Sequence, residues 1–225
     1  MIEAAVMGAV MGAVSPAIVV PRMVQLMDSG YGTAKSIPQM IMAGASCDDI
    51  FVVVLFTTFT GMAQGGNVRA ADFIDIPISI VSGIALGAFT GYVLSEKFGK
   101  LWIAEEVILF VLVGEAVDIR YTAEAGAMAV LMIFAALIFR AAGVCICMIK
   151  TRLNFKEWLF CVIAYLPKAT VQAAIGSVPL AMGLPCGQIV LSVAVIAILI
   201  TAPLGALGMD LTYRRLLVRE KKFIN

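Results

Sequence analysis

The chain has 225 residues, 62% of them hydrophobic and 14% charged, with no histidine and a formal net charge of +1. That is far too apolar for a water-soluble domain. An all-α, polytopic membrane protein is the fold class such a composition leaves, with the lipid bilayer as its first partner and with no nucleic acid and no cofactor expected.

A bilayer-crossing helix needs about 20 mainly apolar residues. Seven segments meet that requirement: residues 4–20, 37–63, 76–94, 101–119, 125–149, 158–182 and 184–209. The first resembles a signal peptide in length, but Glu3 precedes it and no basic segment does, so it reads as a mature span. It carries "AVSPAIVVP", with Ser15 and Pro16 well inside it. The second holds two adjacent carboxylates, Asp48 and Asp49, in "GASCDDIF". Its Thr57, Thr58 and Thr60 read as back-bonded to their own helix. In the fourth span Glu105, Glu106, Glu115 and Asp118 read as interfacial acids. The fifth span holds Arg140. The sixth reads "YLPKATVQAAIGS", with Pro167, Lys168 and Thr170 near its middle. All five cysteines lie within spans at spacings that fit no metal or disulfide framework, so they read as packing residues. Small-residue runs such as "SGIALGAFTG" let helix backbones approach closely.

Basic residues mark one side of the membrane. The connections after the first, third and fifth spans, with the tail, hold Arg22, Lys35, Lys97, Lys100, Lys150, Arg152, Lys156, Arg214, Arg215, Arg219, Lys221 and Lys222. The connections after the second and fourth hold Arg69 and Arg120, and the one after the sixth holds none. Basic loops stay cytoplasmic. The prediction is a multi-pass plasma-membrane protein with its N-terminus outside and its C-terminus cytoplasmic.

Proline inside a helix removes a backbone donor and clashes with the preceding turn. In lipid the freed polar groups must be satisfied by protein, water or an ion. Two such spans beside buried charges predict two discontinuous helices around a binding site. Asp48, Asp49 and Lys168 each lie roughly 20 Å from the basic side, and Arg140 about 15 Å, at 1.5 Å per residue. A charge at the bilayer centre costs about 2.5–3.5 kcal/mol on the insertion scale. Two acids balance two bases, so a purely structural ion-pair network is one reading. Against it, neighbouring helical residues point about 100° apart, so Asp48 and Asp49 do not easily meet one base. Adjacent like charges also favour holding a proton. The pair reads as a site for a proton or a small monovalent cation. Arginine effectively cannot give up its proton, so Arg140 reads as a fixed countercharge. Lys168 reads as compensating charge, capping the carbonyl end of the first half of the sixth span.

These stretches, with "AILITAPLGALG", strongly resemble the sodium/hydrogen exchanger (monovalent cation:proton antiporter) family, in its paired-aspartate branch. The resemblance implies a partial inverted-repeat antiporter fold. It implies that Asp49 is the essential ion- and proton-binding residue, Asp48 its accessory neighbour, and Arg140 the base opposite them. It implies alternating access for Na⁺, Li⁺ or K⁺ against H⁺, and a homodimer. It divides the chain into ion-site core at 1–64 and 124–209, reduced dimerisation or linker helices at 65–123, and a basic tail at 210–225. Relatives carry further N-terminal spans and about two more helices between Asp49 and Arg140, with the join near "SEKFGKLWIAEE". Three other readings stand beside antiport: an inactive remnant or partial gene product, a retinal-type receptor using a buried lysine, and a static membrane subunit.

Overall fold

The computed structural model describes residues 1–65 and 119–220, together with Ile108, Val111 and Glu115. The third predicted span and almost all of the fourth, with Arg69, Lys97, Lys100, Glu105, Glu106, Asp118, Lys221 and Lys222, lie outside the described residues. Glu115 is described and exposed.

The regular structure among the described residues is helical, with one isolated β-bridge. Helix α1 is Ile2–Gly12 and α2 is Pro16–Ser29. A 3₁₀ turn at Thr33–Lys35 leads into α3, Ile37–Ala63. Then follow α4 (Ile119–Met148), α5 (Phe155–Ala164), α6 (Thr170–Ala181) and α7 (Gly187–Leu216). Among the described residues four stretches are long and apolar enough to cross a membrane: 2–29, 37–63, 126–148 and 187–216. With the pair of short helices at 155–181, this is a polytopic membrane fold containing two discontinuous spans.

Both breaks fall where proline predicts them. The first span is longer than its apolar core suggested, because α2 runs on through Pro21 and Arg22 to Ser29. Arg22 is satisfied there by a two-pronged contact with Asp210 of α7, at 3.1 Å on each oxygen. Thr57, Thr58 and Thr60 do bond back to carbonyls of α3.

The apolar core is divided by the breaks. One cluster takes α1, the second half of α3 (Val52, Phe56), the first half of α4 (Ala129, Ile133), α6 and the first half of α7. The other takes α2, the first half of α3 (Ile37, Ile41, Ala45), Met148, α5 and Met209. Between them lies a layer of buried polar residues, with Ser15, Lys168, Gln172 and Thr201 all at 1% exposure or less. Because α1 and α6 share one cluster and α2 and α5 the other, the two broken spans run in opposite senses. Large apolar side chains on α4 such as Met128, Leu131, Ile138 and Phe139 stay exposed, as suits a face bathed in hydrocarbon.

Helix α7 is the common support, packing against α4, α5 and α6. Gly205 makes this possible at the second break. A Cβ there would sit 2.4 Å from Pro167 Cγ and 2.9 Å from its nitrogen. Gly205→Ala should therefore push the break off α7 and cost on the order of 1–3 kcal/mol, read as a lowered midpoint of thermal unfolding in detergent. An unchanged midpoint would mean that Pro167 does not rest on this glycine.

The basic end is closed by a clasp. Tyr31 pairs with Arg219 in an antiparallel bridge, Gly32 N–H donates to Val218 O, and Glu220 N–H donates to Gly30 O. Thr33 Oγ1 donates to Glu220 at 2.7 Å, and Arg219 stacks over Tyr31. Lys35 adds an ion pair of 2.7 Å to Glu157, which also accepts the Asn154 N–H and so caps α5.

Candidate functional site

The site follows from an unmet need. Helix α1 ends at Ala13 in an extended conformation (φ −68°, ψ 151°), which leaves its last carbonyls without intrahelical partners. Other elements supply the donors. Arg140 of α4 donates to Gly12 O, and Lys168 donates to Met11 O and, at 3.2 Å, to Ala13 O. Gln172 of α6 donates to Ala13 O as well. On the far side of the break, Val14 N–H donates to Asp48 Oδ2 at 3.1 Å, and Ser15 N–H donates to Pro167 O at 3.0 Å. The two breaks thus touch backbone to backbone.

Lys168 differs from the sequence expectation. It caps α1 and not the first half of its own span. The end of α5 is already closed by its own backbone: Tyr165 N–H reaches Cys161 O and Leu166 N–H reaches Ile163 O. Lys168's own N–H donates to Thr201 Oγ1, which leaves its ammonium to cross to the helix end that has no such closure.

The two aspartates have different surroundings. Asp48 is engaged twice, by the Val14 N–H and by Arg140 Nη2 at 2.6 Å. The pair is largely shielded, with the Arg140 side chain 14% exposed and that of Asp48 29%. Asp49 is half-buried, and its Oδ1 is enclosed with no hydrogen-bond partner among the described residues. The Ser15 hydroxyl is in the same condition. Thr170 begins α6 and is buried.

Tyr165 frames the Arg140 side. The guanidinium lies 5.9 Å from its ring centre, and its hydroxyl donates to Ile41 O at 3.3 Å. Gly44 leaves the room for this ring, since a Cβ there would fall 1.9 Å from the hydroxyl oxygen. A cavity of about 760 Å³ opens between α1, α3, α4 and α5, lined among others by Gly12, Gly44, Asp48, Arg140, Cys147 and Tyr165. Asp48 faces it, whereas Asp49 is not part of its wall.

Sequence reasoning brought Asp48, Asp49, Arg140 and Lys168 to one layer, and the structure places Asp48, Arg140 and Lys168 around the end of α1, with no bond from Asp49 to it among the described residues. It missed Gln172, Tyr165 and Thr201. Gln172 had a legible signal, being the third residue of a helix that restarts after a break, the position whose side chain reaches back to the N-cap.

A transmembrane sodium/hydrogen exchanger profile matches residues 1–96 and 93–210. The chain belongs to the sodium/hydrogen exchanger family. It is similar to sodium/hydrogen exchanger 9B2 of Mus musculus, at 31% identity over 286 aligned positions covering 96% of this chain and 52% of that protein. It is also similar to sodium/hydrogen exchanger 9B1 of Homo sapiens, at 31% identity over 285 positions, with 95% and 55% covered. Sodium/hydrogen exchanger 9B2 of Xenopus tropicalis aligns at 29% identity, with 96% and 53% covered. The chain spans about half the length of the curated relatives it matches. The alignments are longer than the 225 residues of the chain, so the exchangers carry positions that it lacks. The profile matches meet at residues 93–96, at the edge of the expected join.

Proposed function

We propose that this chain is the ion-site core of a monovalent cation:proton antiporter, with the basic, clasped end on the cytoplasmic side. In this reading Na⁺, Li⁺ or K⁺ and H⁺ compete for the Asp48/Asp49 site by alternating access. Residues 1–64 and 124–209 form the core, and Arg140 and Lys168 neutralise it. No covalent chemistry is involved.

One observation carries the reading: of two adjacent part-buried carboxylates beside a crossing of broken helices, one is held by a fixed guanidinium and the other has an enclosed oxygen with no hydrogen-bond partner among the described residues. A structural ion-pair network would engage both. An enclosed carboxylate oxygen needs a proton or a cation to offset its desolvation. It can take either and not both, and that exclusion couples the two fluxes. Asp49 is therefore the exchanging group and Asp48 the accessory, fixed by Arg140. The retinal-type reading gives way to family membership, and Lys168 is spent on the carbonyls of α1.

Reconstitution into vesicles loaded acid inside provides the test. External Na⁺, Li⁺ or K⁺ should dissipate the pH gradient, with at least one of the three active. The positions that relatives carry and this chain lacks favour a second reading, an inactive remnant. That reading would be supported by wild-type protein that is folded, inserted and silent towards all three cations.

A further inference from the structure

We propose that Gln172 is the positioning residue that holds the two helix breaks in register. It is completely buried. Its Oε1 accepts the Ala169 N–H at 3.1 Å, at the start of α6, and its Nε2 donates to Ala13 O, the C-cap carbonyl of α1. The partners dictate the amide's orientation, because an N–H needs the oxygen and a carbonyl needs the NH₂. One neutral side chain therefore bonds backbone on both sides of the crossing.

Among the described residues, the other side chains that hydrogen-bond to the first break are charged. Arg140 and Lys168 answer to the charge on the carboxylates, which alters whenever a proton or cation arrives or leaves. An amide does not titrate, so the Gln172 tie persists through every loading state. The carbonyls of Met11, Gly12 and Ala13 all face protein donors. Their position, and with it that of the Val14 N–H on Asp48 and the Ser15 N–H on Pro167, depends on that tie. The role in transport rests on the antiport reading; the role in the crossing does not.

Two variants separate the two ends of the amide. Gln172→Met keeps the length and loses both bonds. Gln172→Glu, read at a pH high enough to ionise it, keeps the acceptor for Ala169 N–H and loses the donor for Ala13 O. The primary readout is amide hydrogen exchange of the purified full chain. Q172M should exchange about tenfold faster at both 14–15 and 169, a hydrogen bond's worth of protection at each. Q172E should stay protected at 169 and accelerate only at 14–15. Acceleration of Q172M confined to 169–173, or none, would overturn the proposal, since Gln172 would then be a local helix cap. If Q172M fails to fold, Q172E decides, and wild-type exchange at 14–15 overturns the proposal. In vesicles where the wild type exchanges ions, both variants should lower turnover at least about tenfold at equal folded protein. Wild-type turnover in Q172M would equally overturn it. A silent wild type would count against the antiport reading alone, and the hydrogen-exchange pattern would still decide the role of Gln172.

Discussion

Asp49→Asn should abolish cation-driven dissipation of a pH gradient while leaving the fold in place. Asparagine matches aspartate in shape, but it carries no charge to hold a cation and no acid to release a proton. Asp49 Oδ1 has no hydrogen-bond partner to lose among the described residues, so the substitution removes the charge without taking a bond from that oxygen. It relieves a desolvated charge, and unfolding should occur at or above the wild-type temperature. Asp48→Asn should behave differently. It strips the partner from Arg140 and weakens the acceptor for Val14 N–H, so stability and transport should fall together. The measurement is dye-reported proton flux in vesicles alongside thermal unfolding of the same preparations. Residual exchange in Asp49→Asn with none in Asp48→Asn would reverse the roles. Unaltered exchange in both would leave the aspartates as structure, as in a static membrane subunit.

Arg140→Met should be the most destabilising single change at the crossing. The guanidinium fork serves two groups at once, Gly12 O and the Asp48 carboxylate. Methionine leaves an uncompensated shielded charge and an orphaned carbonyl together, and breaking a buried pair costs about 3 kcal/mol or more. Arg140→Lys should fall between, because an ammonium is a point donor without the planar fork; exchange should persist with altered pH dependence. Adding Asp48→Asn to Arg140→Met should recover part of the loss, since the stranded charge is gone. A double-mutant cycle on thermal unfolding reads the coupling directly. Additive losses would mean that the 2.6 Å contact carries no interaction energy.

Much of this arrangement was legible from local chemistry. Pro16 and Pro167 located the breaks because proline acts on its own turn. Asp48, Arg140 and Lys168 came to one layer because depth follows from counting residues along a helix. Partners across the bundle were not legible, since they depend on which face each helix turns inward. Lys168 went to α1 because α5 closes its own end, a backbone detail that no residue type announces. Pro167 on Gly205 and Tyr165 over Gly44 are fits of shape, visible once helices are placed. The length of α2 was underestimated because Arg22 looked like a boundary, whereas its partner Asp210 lies 188 positions away.

The opposite sense of the two broken spans shapes the electrostatics of the crossing. Helices α1 and α5 both present their carbonyl ends there, and α2 and α6 both present their amide ends, so two negative poles meet two positive ones. Their far fields largely cancel, leaving a quadrupole whose influence dies away within a few ångströms. A cation approaching from either side of the membrane would meet no long-range pull or push from the helices. Its capture would depend on the charged side chains at the crossing, Asp48 and Asp49 against Arg140 and Lys168, and not on the helix poles.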